Sequence, residues 1–76
     1  DAEKKRTLCA RLARVEGQLR GIQKLIEDEA DCEKVAQQLS AARKALDKTF
    51  YALLGCMIEE GDQPVSHVSE MLVKFA

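Results

Sequence analysis
The sequence has no tryptophan, one proline and four glycines in 76 residues, and its only aromatics are Phe50, Tyr51 and Phe75. So few turn-forming residues exclude an all-β fold, which must reverse direction often. No apolar run reaches the roughly 18 residues of a transmembrane helix, so no membrane partner is expected. No CxxC pair is present, which excludes a zinc-ribbon site. Paired carboxylates at working spacing, a Cys–His arrangement and a phosphate-binding glycine loop are also missing, so an enzyme is not expected. Charge of one sign is missing too: 12 Lys and Arg face 13 Asp and Glu, for a net charge of −1.

That near-neutral mean conceals an asymmetry. Residues 1–24 carry seven basic residues against three acidic ones, whereas residues 25–76 carry five against ten. A basic N-terminal third on an acidic chain is an electrostatic footprint for nucleic acid, or else a solvated helix face. The remaining composition, 46% hydrophobic and 33% charged, is that of a folded chain. One small domain over residues 1–76 is expected. A chain of this size buries too little surface alone, so a metal, disulfides or a partner copy should complete it.

Apolar periodicity predicts an all-α fold of three helices. Leu8, Leu12, Val15, Leu19, Ile22 and Ile26 repeat at spacings of four and three, predicting a helix over roughly 4–28. Gly17 and Gly21 within it suggest close approach by another helix. Residues 27–31 lose the period and read as a turn, with Asp31 as N-cap of a second helix. Val35, Leu39, Ala42, Leu46, Phe50, Leu53 or Leu54, and Met57 define that helix over roughly 32–60, stopped by Gly61, Asp62, Gln63 and Pro64. A short third helix near 65–75 carries Val68, Met71, Leu72 and Phe75. Two long antiparallel helices cannot cover their own apolar stripes. Two such hairpins can, as an antiparallel four-helix-bundle dimer.

The cysteines are Cys9, Cys32 and Cys56. An odd count and no legible signal peptide point to reduced thiols and a cytoplasmic location. Cys32 opens the second helix, where the helix dipole favours a thiolate while Asp31 and Glu33 oppose it. Cys56 lies on the same helix, about 36 Å away, so the two thiols meet only across a dimer. Cys9 is expected mid-hairpin opposite residues near 50, as a small packing residue beside Leu8 and Leu12. His67 reads as an ordinary surface residue.

The stretch Arg11-Leu12-Ala13-Arg14-Val15-Glu16-Gly17-Gln18-Leu19-Arg20-Gly21-Ile22 resembles the helix-one signature of the CsoR/RcnR/FrmR family of bacterial repressors. Cys32, Gln38-Leu39-Ser40-Ala41 and Lys44-Ala45-Leu46 are similar to the family's second-helix pattern, and Ser69 to Phe75 to its short third helix. The resemblance covers nearly the whole chain. It implies a disc-shaped tetramer, a dimer of dimers, that binds operator double-stranded DNA and releases it when an inducer reacts between subunits. It places functional basic residues on Arg11 and Lys48. Lys4, Lys5, Arg14, Arg43 and Lys44 are expected to add phosphate contacts.

At the inducer site the sequence departs from the pattern. The Cys, His and Cys of copper-sensing members fall here on Cys32, Met57 and Gly61. Nickel and cobalt prefer imidazole and are poorly served by this set. The leading expectation is a repressor whose Cys32 senses reactive sulfur or another thiol-reactive electrophile, with Cys56 or Cys9 as further inducer-sensing thiols and no cofactor. The alternative is a Cu(I)-responsive repressor holding the metal with Cys32 and the Cys56 or Met57 of a second chain. A helical interaction module without DNA binding is the remaining reading.

Overall fold
The computed structural model describes residues 2–61 and 63–76. These form three helices, α1 (Ala2–Glu27), α2 (Cys32–Glu60) and α3 (Val65–Phe75), and include no strand. The expected all-α class and element order are those observed, with α1 beginning two residues earlier than the periodicity indicates. Of the expected stop signal after α2, Asp62 lies outside the described residues.

Local chemistry sets each boundary. α1 ends in a turn where the amides of Asp28, Glu29 and Ala30 donate to the carbonyls of Lys24, Ile26 and Leu25, and Glu29 takes a left-handed φ of 58°. Asp31 then caps α2, its carboxylate accepting from the Glu33 amide at 3.3 Å. Gly61 closes α2 at φ 68°, the left-handed conformation that a Cβ disfavours, and its amide donates to the Ile58 carbonyl. Pro64 precedes α3 and sends its carbonyl to the His67 and Val68 amides. At the open end of the hairpin the Lys4 ammonium meets the Glu59 carboxylate at 2.7 Å, an exposed ion pair between α1 and α2.

The three helices form a slab. The extents are 47 × 27 × 12 Å, and the last is little more than the diameter of one helix. The radius of gyration is 15.7 Å, whereas a compact domain of this length measures about 11 Å. The core is correspondingly thin: Val15, Ile22, Ala42, Leu54 and Val68, with Thr49 the one buried polar residue among those described. Thr49 donates its hydroxyl to the Ala45 carbonyl one turn back, at 3.0 Å.

Half of the expected core is therefore exposed. Leu12, Leu19 and Ile26 on α1, and Leu39, Leu46 and Leu53 on α2, are all 42% exposed or more. Each row repeats every seventh residue, so each stays on one face of its helix. Gly17 and Gly21 have no neighbouring atom within 4 Å of where a Cβ would stand, so α2 is not the helix that approaches them. Cys9 is exposed. The register that pairs Lys4 with Glu59 puts it opposite residues near 55, not near 50, and it does not pack inside the hairpin.

Candidate functional site
The contact line between α1 and α2 divides the hairpin into two sides. On one side, Arg11 and Arg14 of α1 and Lys44 and Lys48 of α2 line a single groove of about 440 Å³. The floor is small or apolar, with Val15, Ala41 and Ala45, together with Gln18 and Thr49. The helical repeat explains the gathering. Arg11, Arg14 and Gln18 are separated by three, four and seven residues and so share a face of α1. Lys44 and Lys48 are one turn apart on α2. Four like charges around a shallow groove repel one another and favour any anion that bridges them.

The other expected basic residues are placed differently. Lys5 and Arg43 are exposed and do not line the groove. Lys4 is engaged with Glu59, and this hydrogen bond, aided by the nearby charges of Glu59, Cys56 and Glu60, raises its pKa above the ordinary 10.5. Gln18 and Thr49 were not among the residues singled out from the sequence, although the spacing of Gln18 from Arg11 and Arg14 was there to be read.

On the opposite side run the two leucine rows. Leu19, Ile26 and Leu39 line one shallow depression, and Ile26, Ala30, Cys32, Val35, Ala36 and Leu39 line another beside it. Cys32 is the first residue of α2 and is exposed. It also begins the α2 row, since Cys32, Leu39, Leu46 and Leu53 follow one another at every seventh position. Met57, one turn after Leu53, continues the same stripe and is half-buried.

Cys56 does not lie on this side. It is half-buried in a pocket at the open end with Lys4, Leu8, Arg11 and Ala52, and it follows Thr49 by seven residues. One residue rotates a helical side chain by about 100°, enough to carry Cys56 and Met57 to different sides. Cys32 and Met57 occupy opposite ends of a helix about 43 Å long, so one chain cannot bring them together. Among the described residues of one chain, no three His, Cys, Asp or Glu side chains are grouped to hold a metal ion. His67 is exposed, its Nδ1 4.0 Å from the Glu70 carboxylate.

The family model for metal-sensitive transcriptional repressors matches residues 4–72. The chain belongs to this family. Its members repress transcription and are not enzymes. Among curated proteins, the chain is 30% identical to the copper-sensing transcriptional repressor CsoR of Bacillus subtilis (strain 168), over 97% of this chain and 83% of that protein. It is 38% identical to the copper-sensing transcriptional repressor RicR of Mycobacterium tuberculosis (strain ATCC 25618 / H37Rv), over 86% of this chain and 60% of that longer protein. No solved structure matches the chain significantly. No helix of the described residues is long and apolar enough to cross a membrane.

Proposed function
We propose that this chain is a cytoplasmic, single-domain transcriptional repressor that binds operator double-stranded DNA through the Arg11, Arg14, Lys44 and Lys48 groove and releases it when a soft inducer reaches Cys32. The observation that carries this reading is the gathering of four cations from two helices into one groove, on a chain of a metal-sensitive repressor family. Phosphates bridging the groove would relieve the repulsion among those cations and release counterions.

The assembly follows from the opposite side. The exposed leucine rows need a cover of the same length and pattern, and a second hairpin supplies it as a four-helix bundle. Two such dimers make the proposed tetramer. With the two α2 helices antiparallel, Cys32 of one copy approaches the Met57 end of the other, so the inducer site forms only between subunits. Met57, not Cys56, is on the side that reaches it.

Two inducer chemistries suit a thiol at this place. Both curated relatives are copper-sensing repressors, and Cu(I) accepts thiolate with thioether. Position 61, however, is a glycine, and no three-donor cluster is present among the described residues of the chain. The donor set on offer is Cys32 with Met57 of a second copy. The second chemistry is reactive sulfur. The Cys32 thiolate attacks the terminal sulfur of a hydropersulfide, forming Cys32 persulfide and expelling the other half as a thiolate. Single-thiol chemistry of this kind needs no second donor.

One titration tests the whole reading. Binding of the chain to duplex DNA is followed by fluorescence anisotropy at rising salt, then with Cu(I) under a competing chelator, then with glutathione hydropersulfide. Steep weakening with salt, and release by one of the two inducers that is lost in Cys32→Ala, is the expected result. No DNA binding at low salt, or equal release from Cys32→Ala, would reject it. Which inducer works decides between the chemistries.

A further inference from the structure
The groove contains a polar atom that its own surroundings leave without a partner. The Gln18 side-chain oxygen is buried, and no donor among the described residues reaches it. Its neighbours along the groove explain why. Val15, Ala41 and Ala45 offer no side-chain donor, and the Thr49 hydroxyl is already committed to the Ala45 carbonyl. The donors left are the four cations, which extend from the groove into solvent. A buried acceptor without a donor destabilises the free protein, so the groove is arranged for a state other than the empty one.

The chemistry of the missing partner is restricted. A phosphate diester has only acceptors, so it cannot satisfy a carbonyl oxygen. A guanidinium can satisfy both at once, because it presents five N–H groups in a fixed fork. Arg14 lies one turn before Gln18 on the same face of α1. We infer that Gln18 is a positioning residue of the DNA groove: when a backbone phosphate occupies it, the Gln18 carbonyl accepts from the Arg14 guanidinium and aims the rest of that fork at the phosphate. This rests on the DNA-binding reading above and adds a residue with no charge of its own. In the free protein Arg14 is exposed and the acceptor unmet. The bound state resolves both, which links duplex binding to ordering of the groove.

The test uses the full chain and a short mixed-sequence duplex, because a phosphate contact is independent of base sequence. Gln18→Met keeps length and volume while removing the acceptor. The variant is expected to melt at or above the wild-type temperature, since the unmet polar atom is gone. It should bind about tenfold more weakly, the equivalent of one hydrogen bond to a charged group. The slope of log affinity against log salt should become shallower by about one, as for a lost phosphate contact. In the Arg14→Ala background Gln18→Met should add almost nothing, because the two act as one unit. An unchanged slope, or full additivity with Arg14→Ala, overturns the inference while leaving the DNA reading intact. Wild-type protein that does not bind the duplex overturns both. Should Gln18→Met fail to fold, the wild-type chain decides by NMR. The Arg14 Nε–H should become protected from exchange on adding duplex, and no change would overturn the proposal.

Discussion
The two sides of the α1–α2 hairpin share a backbone and a seven-residue repeat, yet their chemistries are opposite. One presents Leu12, Leu19 and Ile26 beside Leu39, Leu46 and Leu53, all exposed. The other presents Arg11, Arg14, Lys44 and Lys48 around one groove. Of the two α2 thiols, Cys32 lies with the leucines and Cys56 with the cations. An apolar side of this length lowers its free energy by meeting its own kind, whereas a cationic side repels its own kind and attracts a polyanion. On the proposed reading, the hairpin separates assembly from nucleic-acid binding by a rotation about the helix axes, with Cys32 on the assembly side.

The strongest challenge to this division is a charge placed in the middle of the leucine side. Leu46→Lys removes the burial of one leucine per copy, worth about 1.5–3 kcal/mol, and leaves an ammonium without a partner in the bundle. The expected outcome is loss of the assembly in analytical ultracentrifugation together with collapse of the thermal transition, because the thin core of one hairpin cannot hold the fold. An unchanged sedimentation coefficient would remove the leucine rows from the interface.

Next in size is the loss of the groove cations. Arg11→Ala with Lys48→Ala should weaken duplex binding about a hundredfold, at about one charged contact each. The salt slope should become shallower by about two, with sedimentation unaffected. Lys5→Ala and Arg43→Ala, outside the groove, should stay near wild type. Equal losses from both pairs would mean that DNA reads overall charge and not this groove.

The cysteines sharpen the comparison at smaller amplitude. Cys32→Ala should abolish inducer release, whereas Cys56→Ala should retain it. If Cu(I) is the inducer, Met57→Ala should lower its affinity by about tenfold or more, as loss of even an outer partner of a metal site does. Retained response in Cys32→Ala but not in Cys56→Ala, measured by the same anisotropy titration, would move the sensor to the groove side.

Much of this division was legible in the residues. The helices and their caps at Asp31 and Gly61 follow from period and punctuation. The side on which each thiol falls was legible as well, since Cys32 is seven residues before Leu39 and Cys56 seven after Thr49. One residue turns a helical side chain by about 100°, so Cys56 and its neighbour Met57 face different sides. The split of the apolar repeat was less legible. Val15 and Leu19 look alike in sequence, and only the direction from which α2 approaches buries one and exposes the other. The register was beyond the pattern too: α1 sets Lys4 against Glu59, which places Cys9 opposite residues near 55 and not near 50. Spacing puts Gln18 on the face of Arg11 and Arg14, but only its buried, unpartnered oxygen makes it unusual, and that belongs to the environment.

Lys4 offers the subtlest contrast, being a cation of the basic third that is engaged within the chain. Its partner Glu59 holds its pKa above the ordinary 10.5, so the charged form is favoured in the folded chain. The stabilisation is therefore fully present below the unfolded pKa and fades as the pH rises through the raised folded value. Lys4→Met should melt slightly below wild type at neutral pH, with the gap closing as the pH rises through the raised folded pKa. Duplex affinity should hardly change, in contrast to Lys48→Ala, because the Lys4 charge is already answered by Glu59. A melting gap that persists unchanged through the alkaline range would mean that Lys4 acts through the packing of its methylene stem over Leu8 and Cys56, and the ion pair would then be incidental to the register of the hairpin.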